Sequence, residues 1–160
     1  YKRIQVRSTE ENKAALEAVV GRPIEQEYSF VRLNFKGELP NHSIHCDTYC
    51  GGYVALHYLN LPEHCIGGTA LWKHNKSGFD HLPTEHEVRR LGKSPVRFME
   101  NLVPDYNRAE AWTQVGLAEM KFNRLAIHST DKFHSRWPFE AFGTTPQDGR
   151  LVWISFFKCL

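Results

Sequence analysis

Arg150-Leu151-Val152-Trp153-Ile154-Ser155-Phe156-Phe157 is the strongest strand signal in the chain. The run is rich in β-branched and aromatic side chains, which suit a pleated surface. Arg150, Val152 and Ile154 fall on one face, because side chains two apart in a strand point the same way. An arginine opening a buried strand is costly unless it meets an anion. A carboxylate gripped by both arms of the guanidinium would offset that cost.

Similar patterns recur upstream. Tyr53 to Leu59 reads as a strand closed by Asn60-Leu61-Pro62, with Val54, Leu56 and Tyr58 on one face. Gly67-Gly68-Thr69-Ala70-Leu71-Trp72 reads as a turn entering another strand. From Tyr28, Val31, Leu33 and Phe35 alternate with Phe30, Arg32 and Asn34. Strand character returns at Arg124 to His128 and around Lys132 to Arg136. Two regions break the pattern. Ser8-Thr9-Glu10-Glu11 fits a capping box with Ser8 as N-cap and Glu11 reaching back. Leu16, Val19 and Val20 then share a helix face, and Gly21 and Pro23 end it. Residues from about 74 to 112 read as a partly helical, charged insertion, with helix starts at Thr84/Glu87 and Ser94-Pro95. The expectation is one domain over residues 1–160, an all-β core with peripheral helices arranged as a sandwich or barrel.

Composition narrows the function. With 160 residues, 41% of them hydrophobic, the chain can bury a core without disulfide staples. A net charge of +2 without a Lys/Arg run argues against a nucleic-acid or anionic-membrane partner. No apolar stretch approaches the roughly 20 residues needed to span a bilayer. Cys46, Cys50, Cys65 and Cys159 lack CxxC spacing and read as reduced thiols, which points to the cytoplasm.

His45-Cys46-Asp47 is the most informative tripeptide. In extended chain its two donors project together, so one nitrogen and one oxygen can share a metal. Two histidines and one carboxylate on one face of an octahedron, with open positions opposite, is the ligand set of non-haem Fe(II) oxygenases. Alone, HxD arises by chance as a solvent-facing pair. His134 supplies a third donor 87 residues after Asp47, and Arg150 follows about 16 residues later.

In order, His45-Cys46-Asp47, Tyr58-Leu59-Asn60, Gly67-Gly68-Thr69-Ala70-Leu71, His134 and Arg150 make the chain resemble the Fe(II)/2-oxoglutarate-dependent dioxygenases, in the prolyl-4-hydroxylase-like branch. Phe122-Asn123-Arg124-Leu125 is similar to a phrase before the distal histidine in a bacterial subgroup. The resemblance covers residues 28 to 158 and implies a double-stranded β-helix, the jelly roll of cupin-like proteins. It implies His45, Asp47 and His134 as iron ligands, Arg150 on the distal carboxylate of 2-oxoglutarate, and the Tyr58 hydroxyl on the same carboxylate. The interval from His134 to Arg150 exceeds the family's usual one of about ten residues, and Arg124 competes for the anchoring role.

The implied activity uses Fe(II), O2 and 2-oxoglutarate to hydroxylate a small molecule, amino acid or peptide, with release of succinate and CO2. The alternative is a cupin-like metal-binding protein that does not use 2-oxoglutarate, and a third reading is a binding module without turnover. His42, His64, His74, His81 and His86 read as surface residues, and His57 faces away from Tyr58. His128 reads equally as cavity lining or as plain strand, and Trp72, Trp112 and Trp137 as core or lid anchors. Arg32 and Asn34 reach either a substrate mouth or a solvated sheet face.

Overall fold

A computed structural model describes residues 2–38 and 44–160. His42 lies outside the described residues. The expected strand at the C-terminus is β8 (Arg150–Cys159), and a larger sheet forms around it. It pairs antiparallel with β2 (Ile24–Asn34) on one side and β3 (Tyr53–Tyr58) on the other. β1 (Lys2–Gln5) extends the β2 edge and β6 (Leu125–Ser129) the β3 edge, giving the order β1-β2-β8-β3-β6. A smaller antiparallel sheet has β4 (Gly68–His74) between β5 (Trp112–Glu119) and β7 (His134–Trp137). His45 forms an isolated antiparallel bridge to His134. The protein is therefore mostly β, with few helices.

Each sheet buries two faces. Phe30, Val54, Leu56, Tyr58, Val152, Ile154 and Phe156 form the inner core of the larger sheet. On its outer face Leu16 of α1 (Glu10–Val20) packs with Ile24, Ala55 and Phe157. The smaller sheet is covered by the insertion. Val88 of α2 (Glu85–Arg90) and Phe98 and Leu102 of α3 (Pro95–Leu102) pack with Trp72, Trp112 and Phe133. Each such apolar side chain contributes roughly 1.5–3 kcal/mol when fully buried.

Local chemistry sets the helix ends. Thr84 and Glu87 form a reciprocal capping box at α2, and Pro95 occupies the first turn of α3, as the sequence suggests. Gly21 closes α1 at φ 76, donating its N–H to the Glu17 carbonyl. The start of α1 differs from expectation. Thr9, not Ser8, is the N-cap, and Asn12 reciprocates in place of Glu11. An amide at that position satisfies the same donors as a carboxylate. Val19 is 65% exposed, because α1 meets the sheet along a narrow line through Leu16 and Val20. Neither β1 nor β5 is legible in the sequence. β1 is exposed throughout, and β5 buries only Trp112, so neither leaves an alternating apolar trace.

Candidate metal centre

Backbone pairing brings the three expected ligands together. His45 and His134 exchange both backbone hydrogen bonds, at 3.0 and 2.9 Å. The Asp47 N–H donates to the Thr130 carbonyl at 2.7 Å, which turns the HxD segment toward the approach to β7. The two imidazole centroids lie 4.5 Å apart. Asp47 Oδ2 is 3.3 Å from His134 Nε2, and Oδ1 is 3.7 Å from His45 Nε2. One donor atom from each of the three residues lies within 4.8 Å of the others. Adjacent ligands of an ion bound at about 2.1 Å sit about 3 Å apart, so little movement closes this set.

The hydrogen bonding also fits a cation. His134 Nδ1 is 2.9 Å from the Lys132 carbonyl oxygen, which only accepts, so Nδ1 carries a proton and donates it. With that proton on Nδ1, Nε2 of His134 faces a carboxylate oxygen. Two acceptors 3.3 Å apart call for a second ring proton or a shared metal ion between them. Burial works to raise the Asp47 carboxyl, but His134, then His45 and His128, outweigh it and hold the carboxyl below its ordinary value. Asp47 is thus an ionised donor.

The triad lines a cavity of about 350 Å3 between the two sheets. Arg150 also lines it and is only 5% exposed. Its Nη2 reaches Thr69 Oγ1 at 3.5 Å, and its Nε is buried with no partner. Among the described residues no carboxylate pairs with it. Burial pulls the guanidinium down to about 10; Tyr58 opposes it, and the charges of Arg32 and then Arg136 add to the lowering. Tyr58 is fully buried, with its hydroxyl oxygen 2.7 Å from Thr69 Oγ1 and 3.1 Å from the Ala118 carbonyl oxygen. It is Thr69 rather than Tyr58 that lines the cavity, where its oxygen also accepts from Arg150 Nη2. Tyr58 therefore positions Thr69 and stands behind the cavity wall.

Arg124 is not part of this cavity. Its guanidinium is partly exposed and donates to the Glu119 carbonyl at 2.9 Å. Phe30, Arg32 and Asn34 share the inward face of β2 and line the cavity, which decides their orientation. Thr69, Arg136 and Glu38 were not singled out in the sequence. Arg136 had a usable signal, since it lies two residues beyond His134 on the same face of β7.

His128 lies against His134, with centroids 4.6 Å apart, yet stands outside the ligand set. Burial, then the charge of His134, pushes it down to about 4. His74 departs from its surface expectation. It is 2% exposed and sits between Ser77 Oγ, at 2.8 Å, and Asp105 Oδ2, at 3.2 Å. His64 and His81 are half-buried and His86 is exposed. Trp72 and Trp112 are core residues, with Trp137 packed against them.

The fold and site thus define a mostly-β protein with a three-donor candidate metal centre and an internal arginine cluster. The chain belongs to DUF6445, a family of unknown function whose profile matches residues 11–157. No curated protein and no solved structure matches it. No helix among the described residues is long and apolar enough to cross a membrane.

Proposed function

We propose that this protein is an Fe(II)- and 2-oxoglutarate-dependent dioxygenase that hydroxylates a C–H bond. One observation carries the reading: two imidazoles and a carboxylate converge in a cavity that also holds a buried arginine with no counter-ion among the described residues. His45, Asp47 and His134 are the residues to hold iron, since two neutral nitrogen donors and one oxygen donor suit Fe(II). When bound there, iron supplies the redox chemistry by which O2 and 2-oxoglutarate convert substrate C–H to C–OH, with release of succinate and CO2.

The chain's own groups do the rest. Asp47 contributes a negative charge at the centre, and the Lys132 carbonyl fixes the tautomer of His134. Arg150 and the Thr69 hydroxyl bind the distal carboxylate of 2-oxoglutarate, with Tyr58 orienting Thr69. Val54, Leu56, Ile154 and Phe156 line the cavity with apolar surface and limit water there. The strand order supports the finer fold. Taken with the His45 bridge, the smaller sheet reads His45-β7-β4-β5 against β2-β8-β3-β6. Along the chain, successive members cross between sheets except from β4 to β5. That interleaving is the plan of a double-stranded β-helix, with the ligands from one sheet and the anion anchor from the other.

The test is succinate formation from 2-oxoglutarate with Fe(II) under O2. The reading expects turnover that needs added Fe(II) and is lost in Asp47→Ala and His134→Ala. Metal binding without any 2-oxoglutarate binding would instead favour a cupin-like protein of another activity.

A further inference from the structure

Resting on the oxygenase reading for its first ligand, we propose that the cavity's second ligand, the molecule oxidised, is a free amino acid held as a zwitterion. Arg136 and Arg32 take its carboxylate, and Glu38 and Asn34 Oδ1 take its ammonium.

Charge gives the first argument. Arg3, Arg32, Arg136 and Arg150 all line the cavity. The distal carboxylate of 2-oxoglutarate matches Arg150, and Asp47 belongs to the metal centre. The other three guanidinium groups then outnumber the one carboxylate that lines the cavity outside the metal centre among the described residues, Glu38, whose Oε2 lies 3.8 Å from Arg136 Nη1. A ligand carboxylate meets this locally positive region, and the ammonium on the same molecule faces Glu38.

The sign of the unmet hydrogen bonds gives the second. Arg136 Nη2 is buried and unpartnered, and a guanidinium only donates. Asn34 Nδ2 donates to Glu38 Oε2 at 2.8 Å, so its oxygen is the other amide atom. That Oδ1 is buried and unpartnered, and it only accepts. Ionised 2-oxoglutarate has no donor to offer it. A molecule carrying an anion and N–H donors on neighbouring atoms serves Arg136 and Asn34 at once, and an α-amino acid does so with its backbone groups alone.

Placement gives the third. Arg136 is two residues beyond His134 on one face of β7, roughly 6–7 Å along the strand. A carboxylate on Arg136 therefore leaves the carbon skeleton beside the triad. A cavity of about 350 Å3 lies at the small end of ligand sites, which favours a free amino acid over a folded protein.

Calorimetric titration of the Mn(II)-loaded full chain without O2 tests this, with and without 2-oxoglutarate. The probes are the proteinogenic L-amino acids, the N-acetyl and carboxamide forms of the tightest, and inorganic phosphate. We expect at least one free amino acid to bind, and blocking either end to weaken it by about tenfold or more. Arg136→Lys and Glu38→Gln should each cost about tenfold in amino-acid affinity, with 2-oxoglutarate affinity unchanged within about twofold. Both keep a polar side chain of similar size, and Glu38→Gln can still accept from Phe35 N. Circular dichroism confirms that they fold. Three results would overturn the proposal: no amino acid binds, blocked forms or phosphate bind as well as free ones, or the Arg136 variant loses 2-oxoglutarate instead. Amino-acid binding without 2-oxoglutarate binding would refute the oxygenase reading alone and leave this proposal supported.

Discussion

Arg150→Met separates an anchoring arginine from a structural one. The free protein holds this guanidinium with 5% exposure and, among the described residues, no carboxylate partner and a single hydrogen bond at 3.5 Å. Burial pulls its pKa well below the ordinary arginine value, down to about 10. At about 1.4 kcal/mol for each pH unit, keeping the charge buried costs about 3 kcal/mol at neutral pH. Because a base with a depressed folded value is destabilising while protonated, that cost is fully present at pH 7. Methionine keeps much of the apolar stem and removes the charge, so the free variant should be more stable than wild type by about 1–3 kcal/mol. For a chain of this size that is a rise of about 3–10 °C in Tm. Saturation with 2-oxoglutarate at about 100 times Kd should stabilise Mn(II)-loaded wild type by about 2.7 kcal/mol and the variant by nothing. Urea unfolding of both proteins, free and loaded, reads all four values. The reasoning fails if free Arg150→Met is destabilised by more than about 1 kcal/mol, or if it gains as much from 2-oxoglutarate as wild type does.

Three further substitutions probe the frame around the site. Gly67→Ala should lose several kcal/mol or fail to accumulate as soluble protein, because φ is +67 and a Cβ would lie 1.9 Å from the Trp137 carbonyl oxygen. Gly78→Ala, also at positive φ but with nothing within 4 Å, should cost only about 1 kcal/mol, and equal urea midpoints for the two would contradict this account. Asp80 is held down to about 2 by hydrogen bonds from Lys132, then His81, so its contribution is complete above about pH 4 and disappears as pH falls toward 2. Its side chain is 44% exposed, so Asp80→Asn should cost less than about 1 kcal/mol at pH 6, and the gap to wild type should narrow at pH 2.5.

The sequence exposed what obeys short-range rules and hid what long-range contacts create. His45 and Asp47 were legible because donors two apart in extended chain face one way, although only the single His45 bridge forms there. Arg150 was legible because it opens a strand strong enough to be buried with certainty. Thr69 was not: its role depends on a Tyr58 hydroxyl from the opposite sheet, and a lone threonine after two glycines carries no local mark of that. His74 was misplaced for the same reason, since its burial depends on Asp105, 31 residues away in the insertion. Arg136 differs, because the two-residue rule that exposed the HxD pair also places Arg136 on the His134 face.

The strongest physical reason to regard the cavity as a binding site is how differently the chain treats its cations elsewhere. Lys132, Arg108 and Arg89 each have a carboxylate oxygen within 3.2 Å, although all three are substantially more exposed and need one less. Arg150, the most deeply buried of these cations, has none among the described residues. Asn34 Oδ1, Arg136 Nη2, Arg150 Nε and His128 Nε2 are all buried without partners, and all belong to the cavity or to the residue packed against His134. Each such atom costs about 1–3 kcal/mol, and native proteins carry few. A fold that caps its helices and pairs its surface cations has the means to satisfy these atoms internally. Partners that arrive from solution would satisfy them: an anion at each guanidinium group and a hydrogen-bond donor at Asn34 Oδ1.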